Sequence, residues 1–131
     1  MSDPNIELVR ECYARASRRE VPAELTHPDA EILQTSLLLD TEQTFHGREG
    51  AARMLQELWD AFEDIRWEEI RIEAAGDNVV ALMRVVGRGR GSGIETDTTV
   101  VHVWTVRDGM LARMVAPESV EEAYRIAGID R

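Results

Sequence analysis

The spacing of apolar residues changes character midway along the chain. In the first half it is helical. Ile6, Val9, Tyr13 and Ala16 recur three or four residues apart, with Leu8 and Cys12 beside them, which predicts a helix from about Asn5 to Arg18 with one face turned inward. Asp3 or Asn5 can cap it, and Pro4 suits its first turn. Pro22 and Pro28 bracket a short helical or irregular piece around Ala23–Thr26, and His27-Pro28-Asp29 reads as a turn into a strand over Glu31–Thr35. Leu37, Leu38 and Leu39 then fall in a loop, where they call for a cover: a pocket mouth or a partner subunit. Gln43–Phe45 is a short strand ended by Gly47. Ala51, Met54, Leu55, Leu58, Trp59 and Phe62 make one wide apolar face of a second long helix, from about Glu49 to Phe62.

From Asp64 onward the period is two. Arg66–Ala74 alternates, with Ile70 and Ile72 opposing Glu69, Arg71 and Glu73. Gly76-Asp77-Asn78 is a hairpin turn into a strand over Val79–Arg88. A glycine-rich bend, Gly87–Gly93, leads to a strand over Glu95–Val106, rich in β-branched residues. Arg107-Asp108-Gly109 turns the chain into a last strand, Met110–Val115. Ser119 and Glu122 have the spacing of a capping box for a final helix, Val120–Ala127, stopped by Gly128. Helices gathered against a mostly antiparallel sheet define an α+β domain. Glycine-interrupted strands let the sheet curl around those helices into a cone, and a cone has an interior.

Composition narrows the functions open to such a domain. A chain of 131 residues suits one domain with one core. The formal net charge of -10 argues against nucleic acid and anionic membrane as partners, since both need clustered cations. No apolar run approaches the roughly 20 residues that cross a bilayer, and Met1–Asn5 has no signal pattern, so a cytoplasmic location is expected. Cys12 is the only cysteine, which excludes an intrachain disulfide and a Cys-rich zinc site. His27, His46 and His102 are too scattered to suggest a metal, and His27 belongs to its turn. The Gly87–Gly93 bend joins strand to strand with no helix after it, so it is no phosphate loop.

The order of these features resembles the SnoaL-like branch of the nuclear-transport-factor-2-like superfamily. The resemblance rests on the opening helix through Tyr13, His27-Pro28-Asp29-Ala30-Glu31, and Phe45-His46-Gly47-Arg48-Glu49-Gly50 before the helix carrying Trp59. It continues through Gly76-Asp77, Gly87–Gly93, Trp104, Arg107-Asp108-Gly109 and the closing helix to Ile129. It implies a cone-shaped, cystatin-like fold, a homodimer joined through the outer sheet face, and an interior pocket for a small hydrophobic molecule. It does not imply one reaction, because the superfamily spans ketosteroid isomerase, polyketide cyclases, an epoxide hydrolase, dehydratases and members without chemistry.

Strand parity groups Val100, His102, Trp104 and Val106 on one face, and the resemblance turns that face inward. It places His102 where ketosteroid isomerase keeps a protonated aspartic acid, and Tyr13 where that enzyme has a tyrosine donor. Both could polarise a substrate oxygen, or Tyr13 could simply anchor its helix through a hydroxyl bonded to His102. Gln34 stands where the isomerase carries its catalytic aspartate, and an amide cannot accept that proton, so Gln34 is expected to orient a ligand. Where polyketide cyclases carry an aspartate, this chain has Ser119, better explained as a helix cap, with Glu118 beside it on the rim. Asp97 and Glu95 are further rim candidates.

Candidate walls are Ile32, Leu55, Leu58, Trp59, Phe62, Leu82, Trp104 and Met114. Arg84 interrupts an apolar strand and is either a surface or interface residue or an anion-binding group of the pocket. Trp67 falls on the charged parity of its strand and is assigned to the dimer face. Three functions fit: a cofactor-independent acid–base enzyme (isomerase, cyclase, hydrolase or dehydratase) with Tyr13 and His102 as its polar hub, a non-catalytic pocket for an apolar metabolite, and a dimeric structural module with a filled core.

Overall fold

A computed structural model describes residues 3–34 and 43–129. The expected Leu37–Leu39 cover lies outside the described residues. Helix α1 (Pro4–Ser17) is followed by a single 3-10 turn (Ala23–Leu25), strands β1 (Thr26–Gln34) and β2 (Gln43–His46), and helix α2 (Gly47–Ala61). Strands β3 (Phe62–Ala75), β4 (Asn78–Gly89), β5 (Glu95–Arg107) and β6 (Met110–Val115) then precede helix α3 (Val120–Ala127). The strands form one mixed, curled six-stranded sheet in the order β2-β1-β6-β5-β4-β3. It is antiparallel except where β1 runs parallel to β6. The α+β expectation holds.

The helix ends follow local chemistry. Asp3 Oδ1 accepts the Asn5 N–H at 2.8 Å at the start of α1. Ser119 Oγ accepts the Glu122 N–H at 3.1 Å at the start of α3, and Gly128 closes that helix in the left-handed region. The expected 27–29 turn is instead part of β1. Its pairing with β6 breaks register between Thr26 and Glu31, and Pro28, which has no N–H to donate, sits inside that irregular stretch. β3 begins at Phe62, directly from the end of α2, and not at Arg66.

The two faces of the sheet are covered differently. α1 and α2 bury one face in a core that joins Val9, Tyr13, Met54, Leu58 and Trp59 to Ile32, Phe45, Ile72, Ala81 and Met114. α3 covers part of the opposite face, packing Ala123, Tyr124 and Ala127 on Val80, Val101 and Val103. Polar clamps fix α1 and α2. Arg10 grips Glu69 of β3 through two bonds of 2.8 and 3.0 Å, Ser17 Oγ accepts the Trp67 N–H at 3.0 Å, and Trp59 Nε1 donates to the Ala16 carbonyl at 3.1 Å.

One irregularity in β3 overturns the parity read from the sequence. Glu69 stands opposite Met83 and Arg71 opposite Leu82, so Ile70 is an extra, bulged residue and is half exposed. A bulge flips the alternation on either side of it. Ile72 faces the helices, and so does Trp67, opposite Val85. The assignment of Trp67 to an outer face, and of Ile70 to the same face as Ile72, is therefore corrected.

Candidate ligand cavity

Between the inner sheet face and the two long helices lies a cavity of about 400 Å³. Its walls come from α1 (Cys12, Tyr13, Ala16), α2 (Ala51, Met54, Leu55, Leu58), β1 (Ala30, Ile32), Trp67 of β3, and Val100, His102 and Trp104 of β5 with Leu111 and Met114 of β6. Arg113 and Glu118, both exposed, mark its rim together with Pro117. The volume is on the scale of small-molecule sites, and the interior is mostly apolar with a few convergent polar atoms.

Those polar atoms form one chain. Trp104 Nε1 donates to Tyr13 Oη at 2.9 Å, and Tyr13 Oη lies 2.6 Å from His102 Nδ1. The rings support the contact: Tyr13 stacks on His102 at 6.0 Å between centroids and meets Trp104 edge-on at 5.8 Å, while Trp67 tilts against Tyr13 at 6.5 Å. Glu57 Oε2 is the one side-chain polar atom among the described residues that is sealed from solvent and without a partner. His102 bonds only through Nδ1 among the described residues, so its Nε2 must open on the cavity.

Burial decides the protonation states. It lowers the His102 pKa from its ordinary 6.5 to about 4, so the ring is neutral at pH 7. It pushes the Tyr13 phenol well above its ordinary range, with the Trp104 bond opposing, and the Cys12 thiol up to about 12. Cys12 lines the cavity as an inert apolar group.

The sequence-derived site residues differ in where they stand against this cavity. His102, Tyr13, Ile32, Leu55, Leu58, Trp104 and Met114 meet at the cavity. Trp59 and Phe62 do not line it: Trp59 is buried between α2 and α1, and Phe62 packs at the edge of the core. Leu82 and Arg84 lie on the other face of β4. Leu82 packs beside α3, and Arg84 is exposed in an ion-pair ladder, 2.6 Å from Asp97 and 3.3 Å from Glu68. The expected pocket role of Leu82 is corrected, because the sheet buries apolar residues on both faces and hydrophobicity alone does not tell the faces apart. Of the two readings of Arg84, the surface one fits its exposed ion pairs and the pocket one is corrected.

Asp97 is consumed by that ladder, and Glu95 pairs with Arg88 at 3.5 Å, so neither joins the cavity. Gln34 ends β1 opposite Gln43, and its side chain lies outside the described residues. His27 is buried at the start of β1 and ties it to the β5–β6 turn, with Nε2 3.2 Å from Asp108 Oδ2. Sequence reasoning missed Trp67, Met54, Ala51 and Arg113 as lining residues. Met54 and Ala51 carried a signal in their position on the apolar face of α2. Trp67 carried none, since nothing in the sequence marks the bulge.

Several solved structures share this fold. TerC, co-crystallised with polyporic acid, is 23% identical over 96% of this chain and 99% of its own, with a TM-score of 0.77. A hypothetical protein of ketosteroid isomerase-like fold from Catenulispora acidiphila, in complex with trimethylamine, is 16% identical over 95% and 94%, with a TM-score of 0.76. An NTF2-like protein of unknown function from Burkholderia pseudomallei is 19% identical over 96% and 98%, with a TM-score of 0.78. Among curated proteins no significant match is found. The sequence profile of the SnoaL-like domain matches residues 9–114, which take in most of α1, all of α2 and nearly all of the sheet, and the chain belongs to that family.

Proposed function

We propose that this protein holds one small, mostly apolar molecule in the cavity, with a polar atom of that molecule set against His102. The observation that carries the reading is the pairing of an apolar space of about 400 Å³ with a single polar chain whose last atom, His102 Nε2, opens inward. A filled structural core would leave neither the space nor the unused ring nitrogen. Family membership and the co-crystallisation of TerC with polyporic acid support a small-molecule role. The expected pair of donors becomes one, since the Tyr13 hydroxyl is engaged with His102.

The test is occupancy of that space. Native mass spectrometry of the gently purified protein should show a bound small molecule, and polyporic acid serves as a first added probe. Ala51→Leu together with Met54→Trp fills the cavity and should abolish binding while the fold persists. Undiminished binding by the filled variant would overturn the reading.

A catalytic version is favoured by one further observation: the Glu118 carboxylate lines the same cavity at its rim, while the neighbouring Ser119 is occupied as a helix cap. His102 would polarise an oxygen and Glu118 would move the proton, acid–base chemistry that needs no cofactor. Its mark is a Glu118→Gln variant that loses turnover but keeps affinity.

A further inference from the structure

The direction of the hydrogen bonds behind His102 determines what kind of atom the cavity accepts. An indole N–H can only donate, so Trp104 uses one lone pair of Tyr13 Oη. A phenol has one proton. The 2.6 Å contact to His102 Nδ1 falls within the range of O–H donors and below that of N–H donors. No other acceptor for that proton stands among the described residues. Tyr13 therefore donates to Nδ1. A neutral imidazole that accepts at Nδ1 carries its proton on Nε2, the atom facing the cavity. The opposite arrangement, with Nδ1–H donating to Tyr13, would leave both the phenol proton and the Nε2 lone pair without partners inside the protein.

We propose that the Trp104–Tyr13–His102 chain fixes His102 as a one-way donor, so that the cavity selects an apolar molecule carrying a hydrogen-bond acceptor, such as a carbonyl oxygen, over a molecule of the same shape carrying a donor. The proposal rests on the cavity reading above and adds the ligand's chemical class. Trp104 is a positioning residue in it: by occupying the phenol oxygen it forces the Tyr13 proton toward the histidine. A ligand N–H aimed at His102 would meet another N–H, and both would be buried unpaired.

The tautomer can be read in the ligand-free protein by a long-range proton–nitrogen spectrum of the ¹⁵N-labelled histidines. The proton is expected on His102 Nε2; a proton on Nδ1 overturns the proposal. Selectivity is read with three tricyclic probes of one shape: fluorenone (an acceptor), fluorene (neither) and carbazole (a donor). Fluorenone should bind about ten-fold tighter than fluorene, and carbazole several-fold weaker than fluorene. Trp104→Phe keeps an aromatic ring but removes the N–H. It should give a mixture of His102 tautomers and shrink the ketone preference, read as the ratio of fluorenone to fluorene affinity, to roughly two-fold. Trp104 is also a wall, so the ratio and not the fluorene affinity is the readout. A merely structural Trp104 would shift all three probes alike. Should Trp104→Phe not fold, Tyr13→Phe serves the same purpose, because it removes the acceptor of the Trp104 N–H and the donor to Nδ1 together. Equal binding of the three probes contradicts the selectivity and leaves the cavity reading intact. Binding of none of them overturns the cavity reading, and the tautomer spectrum still judges the chain by itself.

Discussion

The two faces of the sheet use their polar residues in opposite ways. On the outer face, Glu68, Arg84 and Asp97 stand side by side on three strands and satisfy one another in contact with water. Where α3 covers that face, Val80, Val103 and Ala123 are buried together in one apolar cluster. On the inner face, Trp104, Tyr13 and His102 are buried, satisfy one another in sequence, and end on an unused donor facing open space. A chain of hydrogen bonds that closes on itself stabilises a fold. One that ends at a cavity prepares a contact for something else.

Four measurements sharpen or break that contrast. The largest effect is expected at Trp59, once a candidate wall and here a packed residue bonded to α1. Trp59→Ala should cost about 3–5 kcal/mol in chemical denaturation. A much smaller loss would mean that Trp59 faces open space after all.

Next comes a matched pair of enlargements. Ala123→Leu, at a packed contact of α3, should destabilise by about 1–3 kcal/mol. Ala51→Leu, at the cavity wall, should cost less than about 1 kcal/mol and weaken ligand binding. Equal costs would erase the difference between the faces.

The third measurement is stability against pH. Below about pH 6.5 an unfolded histidine binds a proton, whereas the buried His102 resists it until about pH 4. The unfolded state thus gains a proton that the folded state lacks, and stability falls as pH drops through that window, by at most about 1.4 kcal/mol per pH unit. His102→Asn should lose this slope. Glu11, Glu69 and Asp97, held below their ordinary range by bonds to Arg15, Arg10 and Arg84, act at lower pH and remain in both proteins. The smallest effect belongs to Arg84→Ala, where the solvent-exposed ladder is screened by water and contributes little to stability, and ligand affinity should not change. A lost affinity would return Arg84 to the site.

Much of this was legible in the sequence, and the exceptions share a cause. The three helices, the capping of α1 and α3, and the His102–Trp104 face of β5 follow from periodicity, local chemistry and family resemblance. Trp67 was misplaced because the Ile70 bulge shifts alternation without a glycine or proline to announce it. Leu82 was misplaced because a strand covered on both faces has apolar residues at both parities. The consumption of the Tyr13 proton was one of two open readings, and only a distance could choose between them.

The central claim is that His102 Nε2 offers a proton to a molecule in the cavity. A crystal structure of the protein soaked with fluorenone tests it most directly. The ketone oxygen should lie about 2.7–3.2 Å from Nε2, with the rings among Leu55, Met54 and Trp67. A cavity without the probe, or a ketone turned away from His102 toward Arg113 at the rim, would contradict the account.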